Sequence, residues 1–330
     1  MFFRDRIVFG AICGLASAVG YTGANICLRA VSDCDPIWVS CVKSIPTIAL
    51  IGPWLFVLAH RGVRILPSAQ VFWALVLAGA LGQFGGNVMF QWSLGIIGIA
   101  LAVPICLGSI IVSGAFTGRI FLGETVTRRS AIAVAILIAA IFILSVGAGD
   151  AYDSVSNGAA SPEGSLPYFN ICAGIAAAAF SGFAYAVLGV VIKYGVNEKT
   201  PASTTMVIIA MIGVIGLGAG SWMRIGLEQM LATTSTDLGV MTLAGLFNAM
   251  AFLALTRALQ LTPVTFVNAL NASQVAMAAI AGVLIFHEEP SIPMVVGVML
   301  TVVGLLQMRR RRVAEAETQE KEDRATALSA

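Results

Sequence analysis

Two heptapeptides, Gly118-Arg119-Ile120-Phe121-Leu122-Gly123-Glu124 and Gly282-Val283-Leu284-Ile285-Phe286-His287-Glu288, stand 164 residues apart and decide how the chain is read. Each closes an apolar run with a glutamate. Three residues on comes a hydroxyl, Thr127 or Ser291, placed to cap the next helix. Sliding the whole chain by the same offset lays apolar run on apolar run and pairs Ser17 with Ser181, Tyr21 with Tyr185, Arg29 with Lys193, and Ser109 with Ser273. Residue identity across the offset is little above what so biased a composition produces by chance, so the matching run boundaries carry the repeat.

The runs are too long and too many for a water-soluble core. Of 330 residues 58% are hydrophobic and 11% charged, with mean hydropathy +0.92, where a soluble domain carries about 25% charged residues. A crossing of the hydrocarbon layer takes about 20 apolar residues, and ten such stretches are read here: 7–28, 37–59, 69–92, 97–121, 130–148, 168–192, 202–222, 238–259, 264–286 and 291–309. The expected class is an all-α integral membrane protein. Arg4 and Arg6 before an apolar run with Ala16-Ser17-Ala18 imitate a signal peptide, but the repeat uses that run as its first helix. The six cysteines lie mostly within apolar runs without CxxC spacing and read as small apolar fillers.

With a cytoplasmic N-terminus, the inner loops and tail collect all of the 19 Lys and Arg residues except Arg29, Lys43 and Arg224. The positive-inside rule therefore places both termini in the cytoplasm of a cell's inner or plasma membrane. The organisation expected is a first five-helix repeat over 1–150, an extracytoplasmic linker over 151–166, a second repeat over 167–309, and a charged cytoplasmic tail over 310–330 whose Arg310, Arg311 and Arg312 meet anionic headgroups. Five crossings leave the chain on the opposite face, so the second repeat inserts upside down. Inverted repeats supply two states of similar energy with a solute site at the midplane between them.

Three segments resemble the drug/metabolite transporter superfamily, in particular its EamA-type ten-helix exporters. They are Ala258-Leu-Gln-Leu-Thr-Pro-Val-Thr-Phe-Val-Asn-Ala-Leu running on to Glu288, its first-half counterpart from Leu94 to Glu124, and Gly20-Tyr-Thr-Gly-Ala-Asn25 with Arg29, Pro36 and Lys43. The family usually shows Arg near the start of helix two. Lys43 keeps the charge and loses the planar fork. The resemblance implies two inverted five-helix repeats and alternating-access transport, with export the expected direction, of an amino acid or another metabolite or drug; relatives of the sugar-phosphate and nucleotide-sugar exchanger type form the alternative.

Polar side chains in membrane helices face the bundle or water, because hydrocarbon offers them no partner. Ser17, Tyr21 and Asn25 share one face of the first helix, Gln83, Asn87 and Gln91 one face of the third, and Asn268, Asn271 and Gln274 recur along the ninth. By depth, Tyr21, Asn25, Gln83, Asn87, Ser109, Ser181, Tyr185, Asn248, Asn271 and Gln274 are the candidate solute-binding residues. Each alone also fits a plain helix-linking role. Lys43, the one ionisable group well inside a predicted span, either snorkels to the outer surface or holds an anionic solute. Glu124 and Glu288, at helix ends on opposite faces, either cap and pair locally, with Arg128 or Arg129, or couple protons. Glycines crowd the third helix as Gly79, Gly82, Gly85 and Gly86, and Pro46, Pro53 and Pro104 are candidate kinks.

No phosphate loop, HExxH or GxSxG is present and only His60 and His287 are available. Catalysis is therefore not expected, an intramembrane enzyme acting on lipid being the competing class, and no cofactor or metal is implied. The expected partners are a small solute and membrane lipids, not nucleic acid, with a homodimer left open.

Overall fold

A computed structural model describes residues 2–62, 65–122, 128–146, 167–197, 200–261, 264–304 and 306. The linker over 151–166, the tail over 310–330, Glu124 and the side chains of Asn268, Asn271 and Lys193 lie outside the described residues. Every regular element among the described residues is a helix. In chain order these are α1 (Phe2–Ala30), α2 (Pro36–His60), α3 (Ala69–Ala80), a π-helical turn (Leu81–Val88), α4 (Met89–Leu122), α5 (Arg128–Val146), α6 (Pro167–Asn197), α7 (Ala202–Ile212), a second π-helical turn (Gly213–Leu217), α8 (Gly218–Ala232), α9 (Ser235–Leu261) and α10 (Val264–Ile285). They are followed by α11 (Ile292–Gly304).

Among the described residues six stretches are long and apolar enough to cross a membrane. One of them, Ala69–Thr117, runs for 49 residues. At 1.5 Å per residue it would be more than twice as long as the hydrocarbon is thick, so it must break. It does so at Gly98, whose φ of 71° and ψ of 174° leave the helical region. The spans read from sequence leave the break at 93–96, just short of Gly98, and name Pro104 as a kink; within α4 only the glycine interrupts the helix. The reason is steric: proline keeps helical φ and loses one hydrogen bond, whereas the left-handed region excludes a Cβ. Pro46 and Pro53 are likewise carried within α2.

The helix starts follow local chemistry. Asp35 caps α2, its carboxylate accepting from the Ile37 and Trp38 amides at 2.9 and 3.0 Å, with Pro36 in the first turn. Ser291 caps the final helix by accepting from the Met294 amide, as the sequence implies. The largest interfaces join α4 to α6 and α1 to α9. Glycine makes both close: a Cβ at Gly20 would come within 3.0 Å of the Ala251 methyl, and one at Gly182 of α6 within 2.5 Å of the Ser109 Cβ on α4.

Around the central α4, with Leu94, Ile97, Ile99, Leu101 and Ile105 fully buried, the outer helices turn Phe56, Trp73, Leu77, Phe142 and Trp222 outward. So much exposed apolar surface suits lipid, not water. The chain is a multi-pass membrane protein.

Gly98 is the one residue on which both the break and the seating of Glu288 depend, since a Cβ there would collide with the Glu288 carboxylate. Replacing Gly98 with Ala should cost at least about 1–3 kcal/mol from backbone strain alone. Thermal unfolding in detergent should show a clear loss of stability, whereas Gly114→Ala, in open space, should leave the transition where it is.

Candidate functional site

Two buried polar clusters stand out, one inside the bundle and one at its edge. The inner cluster gathers Lys43 from α2, Gln83 and Asn87 from the first π-helical turn, and Tyr185 from α6. Lys43 Nζ donates to Asn87 Oδ1 at 2.7 Å, and Tyr185 Oη donates to the same oxygen at 2.6 Å. Because both groups donate, the oxygen of the Asn87 amide must face them. Its nitrogen then donates to Gln83 Oε1 at 2.6 Å, and Gln83 Nε2 donates to the Ile209 carbonyl at 2.9 Å. That carbonyl lies where α7 widens into its π-helical turn. One hydrogen-bonded chain therefore joins α2 and the first π-helical turn to α6 and α7.

Local sequence makes this possible. Gly82, Gly85 and Gly86 leave room around the first π-helical turn for the Leu188, Phe180 and Tyr185 side chains. Gly213, which begins the second, has Ser44 Oγ and Gln83 against its missing Cβ. π-Helical turns are rare and occur often at functional sites. Here the two of them meet.

Lys43 does not snorkel. It is 7% exposed, its one described hydrogen bond goes to Asn87, and among the described residues no carboxylate pairs with it. The reason lies in α2 itself: Lys43 falls on a run from Val39 to Ser44 that is buried throughout, so the side chain finds a neutral oxygen closer than water.

The remaining candidates are placed less uniformly. Ser181, one turn before Tyr185, donates to the Ala178 carbonyl at 2.7 Å and lies 3.2 Å from Cys106 Sγ. Ser109 is buried on α4, where Gly182 of α6 packs against it. Tyr21 and Asn25 of α1 and Asn248 of α9 are partly buried. Gln274 is buried on α10, while the Asn271 side chain lies outside the described residues. Ser17 is buried with no hydrogen-bond partner. Gln91, third in its stripe, turns instead to the end of α1, donating to the Leu28 carbonyl at 2.9 Å.

The edge cluster centres on Glu288. Its Oε1 and Oε2 accept from the Ile99 and Ala100 amides at 2.8 and 3.0 Å, the first amides after the break at Gly98. Arg29 Nε pairs with Oε1 at 3.2 Å, Arg29 Nη1 donates to Ser32 Oγ at 2.7 Å, and the guanidinium lies over the Phe286 ring. Glu288 therefore caps α4 after its break, rather than its own neighbourhood or Arg128 and Arg129. A carboxylate at a restarted helix answers both the free amides and the dipole. Sequence reasoning missed this use, although signals were there: Gly95 and Gly98 just after Leu94, and Arg29 in the segment that resembles the superfamily.

Residues 173–310 match the EamA-like transporter family. A solved crystal structure, titled only as that of a protein, is similar over 90% of this chain and 94% of its own at 15% identity and a TM-score of 0.50. That is a likeness of fold. No curated protein matches.

Glu288 and Arg29 form one buried unit and should couple accordingly. Glu288→Ala should cost about 3–5 kcal/mol, the usual consequence of removing one partner of a buried pair. A double-mutant cycle with Arg29→Met and Glu288→Gln, read by thermal unfolding in detergent, should return a coupling energy between about 0.5 and 3 kcal/mol.

Proposed function

We infer, for a chain whose residues 173–310 belong to the EamA-like transporter family of the drug/metabolite transporter superfamily, that it is a secondary transporter carrying a small organic solute by alternating access. The observation that carries this reading is the chain of hydrogen bonds from Lys43 through Asn87 and Gln83 to Ile209, with Tyr185 joining at Asn87. It sets donors and acceptors deep among apolar helices and draws on helices from both halves. Hydrogen bonds between neutral membrane residues contribute about 0.6–2 kcal/mol each, weak enough to exchange partners when a solute arrives.

Several features support two five-helix halves in opposite orientation. The 49-residue stretch broken at Gly98 offers two crossings, five further long spans and three shorter apolar helices accompany it, and ten crossings account for all of them. The offset of 164 carries Gly62 onto Gly226, and both adopt positive φ, 74° and 77°, Gly62 just past the end of α2 and Gly226 at a break inside α8. It also carries the pairing of α1 with α9 onto that of α6 with the third helix, where Gly20 meets Ala251 and Ala184 meets Gly85.

In this reading both termini are cytoplasmic, export is the working direction, and the solute lies among Lys43, Asn87, Tyr185 and Gln83, with Tyr21 of α1 and Asn248 of α9 as further contacts, one from each half. Tyr21, Asn25 and Asn248 make no hydrogen bond among the described residues, which suits groups kept for a guest. Glu288 serves as a structural cap and latch.

Flux in proteoliposomes tests the reading. A panel of amino acids, aromatic amines, carboxylic acids and sugar phosphates should contain a substrate with saturable uptake, and Asn87→Leu should lower that flux at least tenfold while the variant stays folded. Undiminished flux in Asn87→Leu would remove the cluster from the pathway, and no saturable flux across the panel would count against transport itself. A reporter fused after Ala330 should be active only on the cytoplasmic side.

A further inference from the structure

Resting on the transport reading, we propose that the solute is a monoanion that presents a carboxylate to Lys43 and Tyr185, taking over the two donors that Asn87 Oδ1 accepts from.

The argument starts from charge. A buried ammonium is costly unless an opposite charge meets it. Lys43 is buried, and within the described residues its only hydrogen-bond partner is a neutral amide oxygen. The two ion pairs described elsewhere, Arg29 with Glu288 and Arg224 with Asp35, use other residues. A lysine held in a bundle for structure is expected to meet a carboxylate of the protein, and among the described residues this one meets none. The missing negative charge is what a solute can bring.

Geometry sharpens the class. Lys43 Nζ and Tyr185 Oη converge on one oxygen at 2.7 and 2.6 Å, so a carboxylate oxygen set at that point meets both donors. An ammonium carries three donors, and only one is used. Hydrogen bonds to an ionised acceptor are about twice as strong as neutral ones, so a carboxylate displaces the amide oxygen on both donors at once. Freed of them, Asn87 remains tethered to Gln83 through its nitrogen and its oxygen can accept from the rest of the solute. Among the described residues there is one cation here and no second, which matches one negative charge and leaves a phosphate dianion half unanswered.

The test uses the full-length protein in detergent at neutral pH, with matched probes: benzoate against benzamide and benzylamine, isobutyrate against isobutyramide, and methyl phosphate. Binding is read by thermal shift and by isothermal calorimetry. At least one carboxylate should bind and its amide or amine should bind at least tenfold more weakly. Lys43→Gln should weaken the carboxylate at least tenfold, Lys43→Arg less so, and Tyr185→Phe several-fold. Lys43→Gln and Lys43→Met should unfold at or above the wild-type temperature without ligand, because they remove an uncompensated charge, and this shows that lost binding is not lost folding. Amides or amines binding as well as the acids, carboxylate binding that survives Lys43→Gln, or no carboxylate of the panel binding would overturn the proposal. The transport reading fails separately: saturable flux of neutral or cationic solutes alone leaves it standing and refutes the anion site, whereas carboxylate binding with no flux keeps the site and refutes transport.

Discussion

Hydrocarbon cannot hydrogen-bond, and every backbone polar group this chain carries into the bilayer must therefore find its partner inside the protein. Ordinary stretches of helix meet that demand unaided. Breaks, widened turns and helix ends do not, and three buried polar side chains reach those places. Glu288 serves the amides released after Gly98, Gln83 the carbonyl where α7 widens, and Gln91 the last turn of α1. Each reaches from a different helix, so a local backbone need becomes a tertiary tie.

Such ties differ in strength, and the difference has mechanical meaning. The Glu288 cluster combines an ion pair, two amide bonds and a guanidinium over an aromatic ring at the end of the bundle. It holds four segments together: the end of α1, the end of α10, the break and the start of the helix after it. The inner cluster has the opposite character. All but one of its bonds run between side chains, its single charge meets no carboxylate among the described residues, and its helices touch through glycine, which lets one surface slide on another. A strong latch at one end and an exchangeable network within are what a bundle needs if it is to open on alternate sides without coming apart.

Both π-helical turns fit this division. A π-helical turn tilts the side chains that follow it and loosens the hydrogen-bond ladder. Gln83 lies in one of them, and its side chain reaches the carbonyl next to the other, with Gly213 small enough to admit it. The place where the helices are least regular is thus the place where they are most polar, so the irregularity costs no unpaired group at this contact.

Hydropathy and charge placement alone determined that the chain lives in a membrane, where its runs begin and end, and which polar stripes to watch, because burial in lipid acts on each residue type independently of its neighbours. Asn87, Gln83 and Tyr185 were legible for that reason, and so was the turn after Leu94. What only the tertiary structure decided is pairing: that Lys43 turns inward to an asparagine 44 positions away, that Glu288 caps a helix 189 positions earlier, that Gly98 rather than Pro104 breaks α4. No periodicity records such partners, since they are set by which helices lie side by side, and a local pattern cannot distinguish a lysine that finds water from one that finds an oxygen within the bundle.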